Sequence, residues 1–351
     1  MTSTRGLHAP VRPDWLALAG ERALEPELAI VDCHHHLWDR PEGQRYLFLD
    51  LLADMEAGHD VRATVYLQAK SMYRPDLPPP LQPVGEVEFA NGVAAQAASG
   101  LYGRRYACAG IVAFADMMLG RGIEPVLEAL AGAGEGRLRG IRNQTARHDD
   151  PEITSNPVPP PAGMVIDPRF AEAARLLPAH GLTLDVFCYH TQLDEITVLA
   201  DACPDTVIVL NHCGCPLGMG RYRGRRDEVF ADWSARMARI AERPNVRLKL
   251  GGLAMRVNGF DFHEGDRPPS SSRLVDAWAP YMLRCIELFG PARCMFESNF
   301  PVDKGMVDYV SLWNAYKRMT AGFSQGERKA LFHGTAVTTY RLDPTLLGLN
   351  C

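Results

Sequence analysis

Val31-Asp32-Cys33-His34-His35-His36-Leu37-Trp38-Asp39 sets three histidines in a row behind the apolar, β-branched run Ala29-Ile30-Val31. Such a run makes a short buried strand. Side chains alternate along a strand, so His34 and His36 are expected on one face and Cys33 and His35 on the other. Two imidazoles leaving one strand end can meet a single ion or substrate. A solvated loop or a purification tag are the bland alternatives. The tract is short, internal and continuous with an apolar strand, which argues against a tag.

Outward from residues 29–34, β-rich apolar runs recur at 62–68, 106–114, 138–143, 182–188, 206–212, 246–251 and 293–298. Helical patterns fall between several of them, at 124–134, 167–181 and 227–243. Eight strands alternating with helices predict a (β/α)8 TIM barrel rather than an open sheet. No Gly-x-Gly-x-x-Gly or Walker-type loop follows any of these runs. Residues 1–28 read as an N-terminal arm, 29–343 as the barrel and 344–351 as a C-terminal tail. The Pro/Gly-rich connections follow strands two, four, six and seven. In a barrel this places long loops at the C-terminal face, where a lid or substrate wall belongs.

Bulk properties narrow the function. The 351 residues are 46% hydrophobic and 23% charged, material for one large globular core. A formal charge of -5 argues against a nucleic-acid partner, which needs a basic face. No apolar run approaches the ~20 residues of a membrane span, and no signal peptide opens the chain, so a cytoplasmic protein with a small-molecule substrate is expected. Nine cysteines scattered through apolar runs suit buried thiols. His212-Cys213-Gly214-Cys215 has no second cysteine pair at finger spacing. Oligomeric state is not encoded in any of these features.

The strand ends carry a consistent set. The first offers His34 and His36, the second Gln68 and Lys70, the fourth Arg142, and the fifth leads to His190. The sixth gives Asn211 and His212, the seventh Lys249, and the eighth Glu297 and Asn299. Singly, His212 would be a satisfied structural histidine and Lys249 a snorkelling surface lysine. Four histidines at the same end of three strands point to an active site. Arg142 suits planar carboxylate recognition, so a carboxylate on the substrate is expected.

Taken together, VDCHHHLWD, LRGIR, LNHCGCP, VRLKLGGL and FESNFPVD resemble the motifs of the amidohydrolase superfamily, specifically its lactonase-like group. The resemblance spans about residues 29–340. It implies a distorted (β/α)8 barrel that opens a small ester-like or amide-like ring with water activated at the mouth. The family usually ends its eighth strand in Gly-Ser-Asp-x-Pro. Here the stretch is Glu297-Ser298-Asn299-Phe300-Pro301, so an amide stands at the aspartate's place. Asn299 cannot take a proton from water. Glu297, two residues earlier on the same face, and Asp303 are the candidate bases, with a buried salt bridge as the alternative role for Glu297. A divalent zinc or manganese ion would use His34, His36 and His190 or His212. The missing aspartate makes that ion weakly bound, and the resemblance also admits catalysis with no metal.

The combined expectation is a hydrolase of a lactone or related small cyclic ester, anionic or polyhydroxylated. His34, His36 and His212 bind metal or polarise the carbonyl, and Glu297 or Asp303 deprotonates water. Gln68, Arg142, Lys249 and Asn299 hold the substrate. A metal-dependent decarboxylase and a catalytically silent binding barrel are the rivals, because this fold hosts many chemistries.

Overall fold

The computed structural model describes residues 7–40 and 45–349. Its main sheet has eight parallel strands in sequence order: β1 Ala29–His35, β2 Asp60–Leu67, β3 Tyr106–Ala113, β4 Leu138–Gln144, β5 Thr183–Phe187, β6 Ile208–Leu210, β7 Val246–Leu250 and β8 Cys294–Phe296. Every boundary falls within two residues of its expected place. The ring closes just beyond the last strand. Asn299 N donates to His34 O at 2.9 Å, and His36 N donates to Phe300 O at 2.8 Å.

Eight helices follow the strands: α1 Phe48–Met55, α2 Val84–Ala98, α3 Glu124–Gly134, α4 Pro168–Ala174, α5 Leu193–Ala202, α6 Arg226–Ala241, α7 Ser271–Phe289 and α8 Tyr309–Met319. The arrangement is a (β/α)8 TIM barrel. The main core lies between the rings, where outward residues such as Ile111, Leu184 and Leu248 meet Leu127, Trp233 and Leu312. The single helix expected over 167–181 is interrupted after Ala174 and resumes as a 3-10 turn at Leu177–His180. Pro178 lacks the N–H that a continuous helix would need there.

A second cluster fills the barrel's interior. Val31, Cys33, Ala63, Val65, Val209 and Met295 pack together and are closed from below by Tyr340 and Leu342 of the C-terminal segment. Cys33 therefore faces inward, on the same side as its neighbour His34, and strict alternation fails there. The cause is a register break in the β1–β2 ladder between Asp32 and His35, which re-aims the strand end. His35 faces outward, accepting from or donating to Thr64 Oγ1 at 2.8 Å. The N-terminal arm reaches the far side of the mouth, where Arg12 and Trp15 bond the carbonyls of His263 and Gly265. Among the described residues no helix is long and apolar enough to cross a membrane.

Candidate active site

His34, His36 and His212 converge at the C-terminal end of the barrel. His34 and His36 Nε2 are 3.2 Å apart, and the rings of His34 and His212 lie 4.5 Å apart. A single buried carboxylate organises two of them. Glu297 Oε2 is 2.8 Å from His34 Nδ1, while Oε1 is 2.7 Å from His212 Nδ1 and also accepts the His212 N–H at 3.2 Å. A carboxylate only accepts, so His212 Nδ1 carries the proton and its Nε2 the lone pair, whereas His34 Nδ1 faces both the Glu297 carboxylate and the Lys249 ammonium. His36 is set as His212 is, with Nδ1 2.8 Å from the Leu67 carbonyl. All three are held as neutral imidazoles, their pKa values pushed down from 6.5. Burial is the largest cause for each, followed for His34 by Lys249 and for His36 by Arg142. At His212 burial outweighs the opposing pull of Glu297.

His34 and His36 Nε2 stand within hydrogen-bond distance of each other, and a cation between them would take both lone pairs in place of that bond. Tetrahedral bonds of about 2.0–2.1 Å span an N···N edge of ~3.3 Å, so the spacing fits a divalent ion. His34, His212 and Glu297 also place their ligand atoms within 4.8 Å of one another. Either set suits a metal: with His34 and His36 Nε2 as donors, the Leu67 carbonyl and the Glu297 carboxylate stand behind the rings, and in the other set Glu297 is itself a ligand.

The sequence makes room for this arrangement through Gly251-Gly252, after β7. A Cβ on Gly251 would overlap the Glu297 side chain and backbone, and one on Gly252 would overlap the His212 ring. Gly252 also has φ +66°, and His212 itself has φ 58°, so the chain turns sharply where the ring is presented.

Below the histidines lies a polar layer. Lys249 Nζ is 2.9 Å from Asp185 and 3.4 Å from His34 Nδ1. Asp185 also accepts from Asn211 Nδ2 and the Tyr340 hydroxyl, and Asn211 Oδ1 accepts from Arg142 Nε at 3.0 Å. Burial lowers the Arg142 pKa to about 10, against the raising effect of Asp185. Asp185 escaped the sequence reading, although an acid inside the apolar run LTLDVFC was the signal for it.

A narrow cavity opens above, lined by His36, His212, Gln68, Arg142 and Asn299, with Trp38 and Phe187 as aromatic walls. Its described lining contains no carboxylate. Arg142 Nη1, both amide atoms of Gln68 and Asn299 Oδ1 are buried there without a protein partner. Trp38 stacks on His36 at 5.8 Å and carries the Arg40 guanidinium over its ring at 3.8 Å, and Phe187 meets His212 edge-on. His8 of the N-terminal arm also lines the cavity. Nothing in its sequence context marked it.

Other expected site residues stand further back. Asp303 accepts from Asn299 Nδ2 at 2.8 Å and from Ala254 N at 3.2 Å, behind the cavity wall, and burial pushes its pKa well up. Glu297 and Lys249 lie beneath the imidazoles rather than on the cavity. The structure does not bring His190 into the cluster. Its Nδ1 accepts from Leu217 N, its Nε2 points toward Asp232 at 3.9 Å, and burial lowers its pKa to about 4.

Comparison with known proteins agrees with this architecture. The family model described as Amidohydrolase matches residues 31–342. An uncharacterised protein of Sinorhizobium fredii, y4mH, is 31% identical over 346 residues, covering 90% of this chain and 99% of its own. The L-fucono-1,5-lactonase of Burkholderia multivorans is 28% identical over 207 residues, 59% of this chain and 64% of that protein. An amidohydrolase from B. multivorans, crystallised with bound zinc, superposes with a TM-score of 0.69 at 24% identity, covering 90% of this chain and all of that one.

Proposed function

Because the chain belongs to the amidohydrolase family, we propose that it hydrolyses a lactone or related small cyclic ester bearing an anionic or polyhydroxylated frame. The observation that carries this reading is the Glu297 carboxylate hydrogen-bonded to His212 Nδ1 and to the His212 backbone N–H, with His34 Nδ1 2.8 Å from its other oxygen. It leaves a basic Nε2 on His212 beside a cavity whose described lining is cationic, amide and aromatic. The lactonase relative supports the reaction class.

Each side chain has a part. Arg142 Nη1 binds the substrate's carboxylate or hydroxyl oxygens, and Gln68 orients the ring with both ends of its amide. Asn299 Oδ1, fixed by Asp303, accepts from the attacking water. His212 Nε2 takes the water's proton, while Glu297 stabilises the imidazolium that forms, and later returns it to the leaving alkoxide. Trp38 and Phe187 exclude bulk water. A divalent zinc or manganese ion held by His34 and His36 would supply Lewis-acid polarisation of the scissile carbonyl.

The test is a panel of lactones, neutral and carboxylated, followed with a pH indicator in weak buffer. Ring opening acidifies the solution and is expected for carboxylated or polyhydroxylated members. Alkalinisation with aromatic acids would instead indicate decarboxylation. Ligand-induced thermal stabilisation without any pH change across the panel would indicate a binding barrel and overturn the hydrolase reading.

A further inference from the structure

Gln68, the residue directly after β2, lines the cavity, and both its amide atoms are buried without a partner. Directly after it the backbone turns through two left-handed residues, Lys70 at φ 57° and Met72 at φ 54°. Non-glycine residues hold such angles only where surrounding structure over-determines them. The surrounding structure is the first turn of α2. Gly85 lets the turn approach so closely that a Cβ there would overlap the Met72 carbonyl and Arg74. The next residue, Glu86, is a fully enclosed carboxylate. Its Oε1 accepts from Ala69 N at 2.7 Å, Ser71 N at 3.0 Å and the Tyr66 hydroxyl at 2.9 Å. Those donors flank Gln68 on both sides, and Ala69 itself lines the cavity.

We propose that Glu86 is a positioning residue of the site, its carboxylate clamping the turn after β2 so that the Gln68 amide is presented to the substrate. The proposal rests on the reading of this cavity as the reaction site. It adds a residue that does not line the cavity and acts wholly through its neighbour.

The clamp has an electrostatic signature. Burial raises the Glu86 pKa to about 7, against the lowering effect of its three donors and of Arg142. Lys70 and Tyr73 are the other titratable groups whose charge states it influences, and both have pKa values displaced mainly by burial. As a carboxylate Glu86 accepts all three bonds at full strength. As an acid it is a weaker acceptor, so the turn loosens as pH falls through about 7.

Three variants test this: Glu86→Gln, Gln68→Ala and the double change. On a lactone that the wild type turns over, Glu86→Gln should raise KM about fivefold with kcat nearly unchanged, the size expected for one weakened hydrogen bond. The wild-type kcat/KM should fall on the acid side of an inflection near pH 7, and that inflection should vanish in Glu86→Gln. The double variant should be no worse than Gln68→Ala alone, because Glu86 acts through Gln68. Additive losses, or a loss that merely tracks melting temperature, would overturn the proposal. A readout independent of turnover is the side-chain amide NMR signal of Gln68, assigned by its disappearance in Gln68→Ala. It should titrate near pH 7 in the wild type and stay fixed in Glu86→Gln. A wild-type signal that ignores pH overturns the clamp. A titrating signal in a protein that opens no lactone upholds it and faults the reaction assignment instead.

Discussion

Replacing Glu297 by glutamine changes one atom and, through it, the chemistry of an imidazole. Glu297 Oε1 accepts from both the His212 ring and the His212 backbone N–H, so the amide oxygen of glutamine must stay on that side. The new NH2 then faces His34 Nδ1, where Oε2 stood at 2.8 Å. That donor joins Lys249 Nζ at Nδ1 and holds the His34 proton on Nε2. That proton points at His36 Nε2, 3.2 Å away, and locks the two rings to each other. The lost imidazolium stabilisation at His212 should lower kcat by ~10²–10⁴, the range for a disabled general base. Losing charge-assisted bonds to two rings should cost about 1.5–3 kcal/mol of stability. The experiment measures kcat, KM, melting temperature and bound divalent metal on one preparation. Turnover should collapse with KM little changed, metal should be absent, and the protein should stay folded at assay temperature. A folded Glu297→Gln protein with near-normal kcat would refute the shared-carboxylate mechanism and return the base to some group outside the Glu297 pair.

Gly252→Ala, whose Cβ would press into the His212 ring, should cut kcat at least ~100-fold if a misplacement of about 1 Å costs what it does elsewhere, checked on protein shown folded by circular dichroism. Arg142→Met should raise KM for carboxylated lactones by ~10–100-fold and leave neutral ones less affected, because a charge-assisted bond is lost; equal effects on both classes would remove the anion-binding role. Asn299→Asp would set a second carboxyl 2.8 Å from Asp303, so one of the two should remain protonated at neutral pH, detectable as an infrared carboxylic-acid band that titrates above pH 7. Protein purified without chelator should hold a divalent ion below one equivalent, and chelator treatment should remove it together with most turnover; unchanged kcat in metal-free protein would leave the imidazoles to act alone.

The barrel was legible because strands buried on both faces write themselves as apolar runs, and each run here ends near the residue that leaves it. His34, His36, Gln68, Arg142, His212 and Asn299 could be placed at one mouth on that basis. What the sequence hid was depth. Glu297, Lys249 and Asp303 share strand ends with the cavity residues, yet they sit one layer behind, because short twists and left-handed turns at His212 and Asn299 decide which side chain reaches open space. Alternation failed at Cys33 for a related reason, since a bulge leaves no mark in residue type. His190 illustrates the limit most plainly: its position after β5 suggested a ligand, but the turn beginning there carries the ring toward Asp232.

The barrel's seam runs through its own reaction centre. The two hydrogen bonds that join first strand to last connect His34 and His36 to Asn299 and Phe300. The residues on either side of that seam lie near opposite ends of the polypeptide, so they meet only after every intervening unit has taken its place. Loop-closure entropy grows slowly with length, but here the whole ring must be assembled before the join can form. A nascent chain is therefore expected to carry no partial activity. Turnover becomes a gauge of completed assembly: in refolding from denaturant, it should return only with the final phase, after the far-ultraviolet signal of the helices has already recovered.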